Sequence, residues 1–296
     1  MLRLFSLLAL LTAAPALAET VKIDTYRGPA ELSAMPETIA VFDVSALDSL
    51  VALGITPDAV IDPVYVDYLA GVTADAVRVG TLFEPDYEAV AALGPDLIIA
   101  GGRSYDAVPD LAKLAPTIDM TVWEDTVGQG LDRLAAYGEI FGKQTEAAAL
   151  TAAFQEKLAA TKRAVEGEGS ALIVMTVGPK VSAYGAAGRF GWLHSATGLP
   201  EAVVDVESAT HGEAISFEFI RDADPDILIV VDRLAAIGQD GESAAATLDN
   251  ALVRETKAWA SDKVIYLDSA ALYIAGGGIQ SMNRILDSII AKFPES

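Results

Sequence analysis

The chain has no cysteine in 296 residues, only two histidines, and 20 basic residues against 42 acidic ones. The first absence excludes a disulfide framework, a thiolate metal site, a thiol nucleophile and a lipid-bearing N-terminal cysteine. The second leaves little choice of general base and argues against a divalent-metal site built from several imidazoles. The third, a net charge of -22, repels nucleic acid and anionic lipid, so neither is an expected partner. Against that acidic background, clustered arginines become informative. Also missing are Gly-x-Ser-x-Gly and His-Glu-x-x-His, so serine and zinc hydrolases have no local signature here. The chain is read as no enzyme, with an exported hydrolase as the distant alternative.

No apolar run is long enough to cross a bilayer comfortably, the N-terminal stretch included. That stretch, "MLRLFSLLALLTAAPALA", joins a single charge at Arg3 to an apolar run and the small-residue pattern Ala16-Leu17-Ala18. It reads as a signal peptide over residues 1–18, cleaved before Glu19. The remaining 278 or so residues, with no lipid attachment site, are expected to diffuse freely in a periplasm as a monomer without stable membrane insertion.

Short apolar runs ("TIAVFDV", "DLIIA", "ALIVMTV", "DILIVV", "KVIYLD") alternate with helical patterns such as "SALDSLVALG" and "YEAVAALG". Alternation of this kind predicts an α/β fold with mainly parallel sheets flanked by helices. Residues 127–166, rich in Ala, Leu, Glu and Lys, predict one long helix or two closely spaced ones. A lobe is expected on either side, over residues 19–126 and 167–296. An internal repeat supports two lobes. "EPDYEAVAALGPDLIIAGGR" and "AISFEFIRDADPDILIVVDR" align at a constant offset, pairing Glu88 with Glu218, Pro95 with Pro225, Asp96 with Asp226, Ile99 with Ile229 and Arg103 with Arg233.

In open parallel sheets, ligands bind beyond the carboxyl ends of the strands, where Arg103 and Arg233 are expected. Each arginine also has a plainer reading, a pairing with a nearby surface carboxylate. A third arginine, Arg189, lies among Gly185, Gly188 and Gly191 and is expected to open a helix. Glycines permit close approach of backbone to ligand, but this loop lacks the spacing of a phosphate loop. Tyr273 is expected in a loop, facing a cleft or packed half-buried. His211 begins a loop at the cleft mouth or sits there without a role; His194, beside Trp192, is read as structural. Together, these groups make chemical sense. A phenolate is a hard oxygen ligand for a trivalent cation, imidazole is a competent borderline ligand, and arginines suit an anionic chelate.

The order of "PETIAVFD", "PDLIIAGGR", "GRFGWLH", "THGEAISFEFI", "PDILIVVDR", "LDNALVRETKAW" and "LYIAGGGIQS" resembles the periplasmic ferric-siderophore-binding proteins of ABC importers, particularly the ferric-catecholate branch. That resemblance implies two α/β lobes joined by a long backbone helix, the class III arrangement, with the ligand between them. It implies ligand contacts at Arg103, Arg189 and Arg233, and iron coordination by His211 and Tyr273 where the chelator leaves positions open. It further implies docking on an ABC transporter permease through Glu88 and Glu218. Fe3+ would arrive as a siderophore complex, with no intrinsic cofactor. Haem, hydroxamate siderophores and cobalamin stay open as alternative cargoes of the same fold.

Overall fold

In the computed structural model, which describes residues 20–206 and 211–293, the repeated block folds twice into the same unit. The leader read at residues 1–18 lies outside the described residues. Helices Tyr87–Leu93 and Phe217–Ala223 start at equivalent positions, and each start is capped. Asp86 accepts from the Ala89 N–H, and Ser216 accepts from the Phe219 N–H. Each cap satisfies a donor that the first helical turn leaves free. Both helices end on a left-handed residue, Gly94 at φ 61° and Asp224 at φ 40°. Glycine adopts that conformation freely, and aspartate is among the few other residues that tolerate it. Past this turn, Asp96 accepts from the N–H groups of Glu37 and Thr38, and Asp226 from that of Ser170. The recurring Pro-Asp thus fastens each new strand to the start of its neighbour.

Twelve strands form among the described residues: β1 (Thr20–Thr25), β2 (Gly28–Ser33), β3 (Ile39–Val41), β4 (Ala59–Val60), β5 (Val77–Arg78), β6 (Leu97–Ala100), β7 (Thr117–Asp119), β8 (Ala171–Val177), β9 (Lys180–Tyr184), β10 (Glu213–Ile215), β11 (Ile227–Asp232) and β12 (Val264–Tyr266). The first two make a separate antiparallel hairpin. One sheet, ordered β5-β4-β3-β6-β7, is parallel throughout. The other, ordered β10-β9-β8-β11-β12, is parallel on one side and antiparallel at β9 and β10. The connection explains the switch. Only Gly178 and Pro179 separate β8 from β9, and two residues permit a hairpin but not a crossover helix. Both central strand pairs are buried on both faces, as their unbroken apolar runs require.

Between the sheets run two helices rather than one, Thr126–Ile140 and Gln144–Val165. Gly142, at φ 64°, breaks them apart. The last helix, Ile279–Ile290, packs back against Gln144–Val165 and against Val44–Ala52, the first helix of the chain. Its entry is tight. Gly277 has φ 93°, and a Cβ there would stand 2.8 Å from Val122 Cγ1. Gly277→Ala is therefore expected to lose about 2 kcal/mol of stability, combining backbone strain with a clash against a branched side chain. A urea unfolding curve indistinguishable from wild type would refute that reading of the turn.

Candidate ligand-binding cleft

A cleft of about 730 Å³ lies where loops from both sheets meet. The first sheet contributes Asp43 and Ser45 after β3, Gly101 to Arg103 after β6, and Val122 to Glu124 after β7. The second side contributes Gly188, Arg189, His211, Arg233 and Tyr273. All five residues singled out as ligand or metal contacts, Arg103, Arg189, Arg233, His211 and Tyr273, thus line one cavity.

Tyr273 is its hub. It ends the short helix Ser269–Tyr273, where Asp268 caps the first turn by accepting from the Ala271 N–H. The expectation of a loop position is corrected to that of a helix end, because this cap and the backbone bond from Leu272 N–H to Asp268 O close a turn there. Arg103 and Arg189 each donate to the Tyr273 carbonyl at 2.7 Å, one from each side of the cleft. Arg233 donates from Nε to the Tyr273 hydroxyl at 3.3 Å. The three guanidinium carbons stand 5.0, 4.2 and 5.9 Å from the ring centroid, in the same order. A ring with its electron-rich face toward cations favours this gathering. Burial alone would push the Tyr273 phenol up, but the Arg233 hydrogen bond and the charges of Arg189, Arg233 and Arg103 hold it below the usual tyrosine value. Arg189 is half-buried, and burial together with the charge of Arg103 lowers its pKa.

Local structure brings each arginine here. Arg103 follows β6 in the 3-10 turn Gly102–Ala107. The backbone at Gly101 and Gly102 passes the buried Asp43 so closely that a Cβ would meet its Oδ2 at 2.9 and 3.0 Å. Arg233 directly follows β11, after Asp232, whose carboxylate accepts from the N–H groups of Ala235 and Ala244. Arg189 lies in the turn before helix Trp192–Thr197 rather than at its start. Glu201 anchors that turn by accepting from the Ala186 N–H at 2.6 Å. His211 is exposed, in a turn just before β10. His194 is buried, with Nδ1 3.0 Å from the Leu199 carbonyl oxygen, and stands outside the cleft lining. Glu88 and Glu218 occupy the first turns of the two equivalent capped helices, exposed and away from the cleft lining.

Among the lining residues that sequence reasoning missed are Asp43, Phe83, Trp123 and Glu124. Each lies in or near a loop beyond β3, β5 or β7, and position after a strand end was the only available signal. Phe83 and Trp123 are 66% and 59% exposed, unusual for such large apolar rings. Among the described residues, no group of three or more His, Asp or Glu side chains is arranged to hold a bare metal ion. The cleft is chemically suited to an anion with aromatic faces rather than to a free cation. No helix among the described residues is long and apolar enough to cross a membrane.

Comparison with known proteins agrees with the geometry. The profile described as periplasmic binding protein matches residues 39–271. The petrobactin-binding protein YclQ of Bacillus subtilis is 33% identical, over 91% of this chain and 86% of that protein. The ferric-anguibactin-binding protein FatB of Vibrio anguillarum is 31% identical over the same shares. The crystal structure of YclQ superposes with a TM-score of 0.88, covering 94% of this chain and 100% of that one. VctP of Vibrio cholerae, a periplasmic catecholate-siderophore binding protein, superposes with a TM-score of 0.85 at 31% identity, covering 92% and 100%.

Proposed function

Because the chain belongs to the periplasmic binding protein family, we propose that it carries a ferric siderophore of catecholate type in this cleft and hands it to an ABC permease for iron uptake. The observation that carries the reading is the convergence of Arg103, Arg189 and Arg233 on Tyr273 from both sides of one cavity. Two relatives are named for petrobactin and ferric anguibactin, and one solved structure for a catecholate siderophore, so the cargo class rests on chemistry and kinship together. The protein works from the periplasm and performs no chemical conversion on its cargo.

Ferric catecholates carry negative charge on oxygen, and guanidinium forks meet such oxygens with paired charge-assisted bonds. The arginines hold the complex while the Tyr273 phenol, whose proton their charge already loosens, donates to the iron. His211, at the rim, completes coordination when the chelator offers only two catechols. Glu88 and Glu218, carried at equivalent places on the two halves, dock on the permease. Closure around the cargo is modest, since the turn after Tyr273 is packed against Val122 on the other side of the cleft and against Gly130 of the connecting helix Thr126–Ile140.

The test is a titration with a ferric tetradentate bis-catecholate, following tryptophan emission and the visible charge-transfer band together. Trp123 and Trp192 both line the cleft, so quenching is expected, with sub-micromolar affinity and a shifted band. In Tyr273→Phe, binding is expected to persist more weakly and the band to differ from that of wild type. Absence of binding would overturn the cargo class; identical bands in both proteins would remove Tyr273 from the iron.

A further inference from the structure

Glu124 poses an electrostatic contradiction: it is a carboxylate on the wall of a cleft otherwise arranged for an anion. It is neither free to swing away nor inclined to take a proton. Gln129 Nε2 donates to its Oε2 at 2.7 Å, and the Tyr26 hydroxyl donates to its Oε1 at 3.1 Å. Its own N–H donates to Gln129 Oε1 at 3.1 Å, completing a closed ring of bonds with one side chain. The hydrogen bond from Gln129 is the largest influence on the carboxyl and, with that from Tyr26, holds it below the usual glutamate value.

The support behind this wall extends further than one residue needs. Arg27 donates from Nε to the buried Asp119 at 2.7 Å and from its terminal nitrogen to the Tyr105 carbonyl at 2.9 Å. Tyr26 meets Tyr105 edge to face, with centroids 6.3 Å apart. Arg133, itself buried, ties the Asp24 carbonyl of β1 to the Thr121 carbonyl beside the wall. The β1–β2 hairpin thereby braces the segment from Asp119 to Glu124 and fixes where the carboxylate stands. Beside it are the exposed rings of Trp123 and Phe83, surfaces on which an alkylammonium packs well.

We propose that Glu124 is a specificity residue for a positive charge on the cargo outside its iron-binding groups, a protonated amine in the linker joining the catechols. The cleft then recognises a dipolar ligand, its anionic chelate against the three arginines and its ammonium against Glu124 and the neighbouring rings. The inference rests on the cargo class proposed above and narrows it. A carboxylate in this place also disfavours chelates of higher negative charge, since like charges repel.

The experiment compares two ferric bis-catecholates of the same length, one with a secondary amine in the linker and one with that nitrogen acetylated. Wild type is expected to prefer the amine roughly fivefold, the range of a partly exposed ion pair, and 0.5 M salt to erode that preference. Glu124→Gln is expected to bring the ratio near one, with unfolding measured alongside to show that the brace survives. Equal binding of both chelates by wild type, or an unchanged ratio in Glu124→Gln, would overturn the inference while leaving the cargo class intact. Failure of wild type to bind either chelate would overturn the cargo class and the inference with it.

Discussion

Asp48→Ala is expected to destabilise the folded protein by about 3 kcal/mol at about pH 5, because one fully buried carboxyl holds together the two ends of the chain. Asp48 sits within the first helix and is 0% exposed. Its Oδ1 accepts from the Gln280 N–H at 2.7 Å, and its Oδ2 accepts from the Ser281 N–H at 2.9 Å and the Tyr68 hydroxyl at 2.5 Å. The two amides belong to the first turn of the last helix, whose own preceding residue, Gly278, has no side chain to cap them. Gly278 must stay bare, since a Cβ would lie 2.6 Å from the Asp48 carboxyl carbon. Truncation to alanine strands three donors, one fully and two partly buried, and each unmet donor costs about 1 kcal/mol.

The same residue sets a pH signature. Burial pushes the Asp48 pKa up to about 7 from an ordinary 3.8, against the opposing pull of Tyr68, Gln280, Ser281 and Arg284. A carboxyl raised in the folded state binds its proton more tightly there than in the unfolded chain. Its contribution is complete at pH below the unfolded value and is lost as pH rises through the folded one. Wild-type stability should therefore decline between about pH 4 and 7 through this group, and the gap between wild type and Asp48→Ala should narrow. Urea unfolding at about pH 5 and pH 8 checks both statements. A gap that widens with pH, or one below about 1 kcal/mol at pH 5, would contradict them.

Arg189→Ala is expected to weaken binding of a ferric bis-catecholate by about 100-fold, the largest effect among the cleft variants. Of the three arginines Arg189 stands nearest the Tyr273 ring, its half-buried guanidinium 4.2 Å from the centroid while donating to the Tyr273 carbonyl. A charge-assisted fork in such a place is worth about 3 kcal/mol when one partner is removed. Alanine also withdraws one of the charges that lower the Tyr273 phenol, so the charge-transfer band should form at higher pH than in wild type. Arg189→Lys should recover only part of the affinity, because a single ammonium lacks the planar fork. Fluorescence titration across pH reads both effects. A loss below about threefold would show that the ligand is not held here.

Much of the fold was legible because its signals are local. The repeat could be read from the chain since each copy carries its own cap, left-handed turn and Pro-Asp anchor, at Asp86, Gly94 and Asp96 and again at Ser216, Asp224 and Asp226. The mixed character of the second sheet was less legible. Strand β9 alternates in burial like any half-exposed strand, and only the shortness of the Gly178-Pro179 turn betrays its direction. The β1–β2 hairpin escaped notice because its alternation is short: only Val21 and Ile23 on one strand, and Ala30 and Leu32 on the other, alternate with polar residues, and most of both strands is not buried. In the cleft, the arginines stood out against an acidic composition, whereas Glu124 and Asp43 were two carboxylates among 42 acidic residues. Nothing in composition distinguishes them; their partners Tyr26, Gln129 and Ser45 do.

By itself, the sequence determined the α/β class, the duplication, the absence of thiol chemistry and the small set of residues able to meet an anionic chelate. All of these follow from composition or from interactions within a few residues along the chain. Only the tertiary structure decided that Arg103 and Arg189 share one carbonyl, that Tyr273 ends a helix at their meeting point, and that Asp48 caps a helix 232 residues away at Gln280. Those contacts join segments whose separation in sequence carries no periodic or compositional trace. They arise when burial of two apolar sheets forces the loops at their carboxyl ends into the same small space.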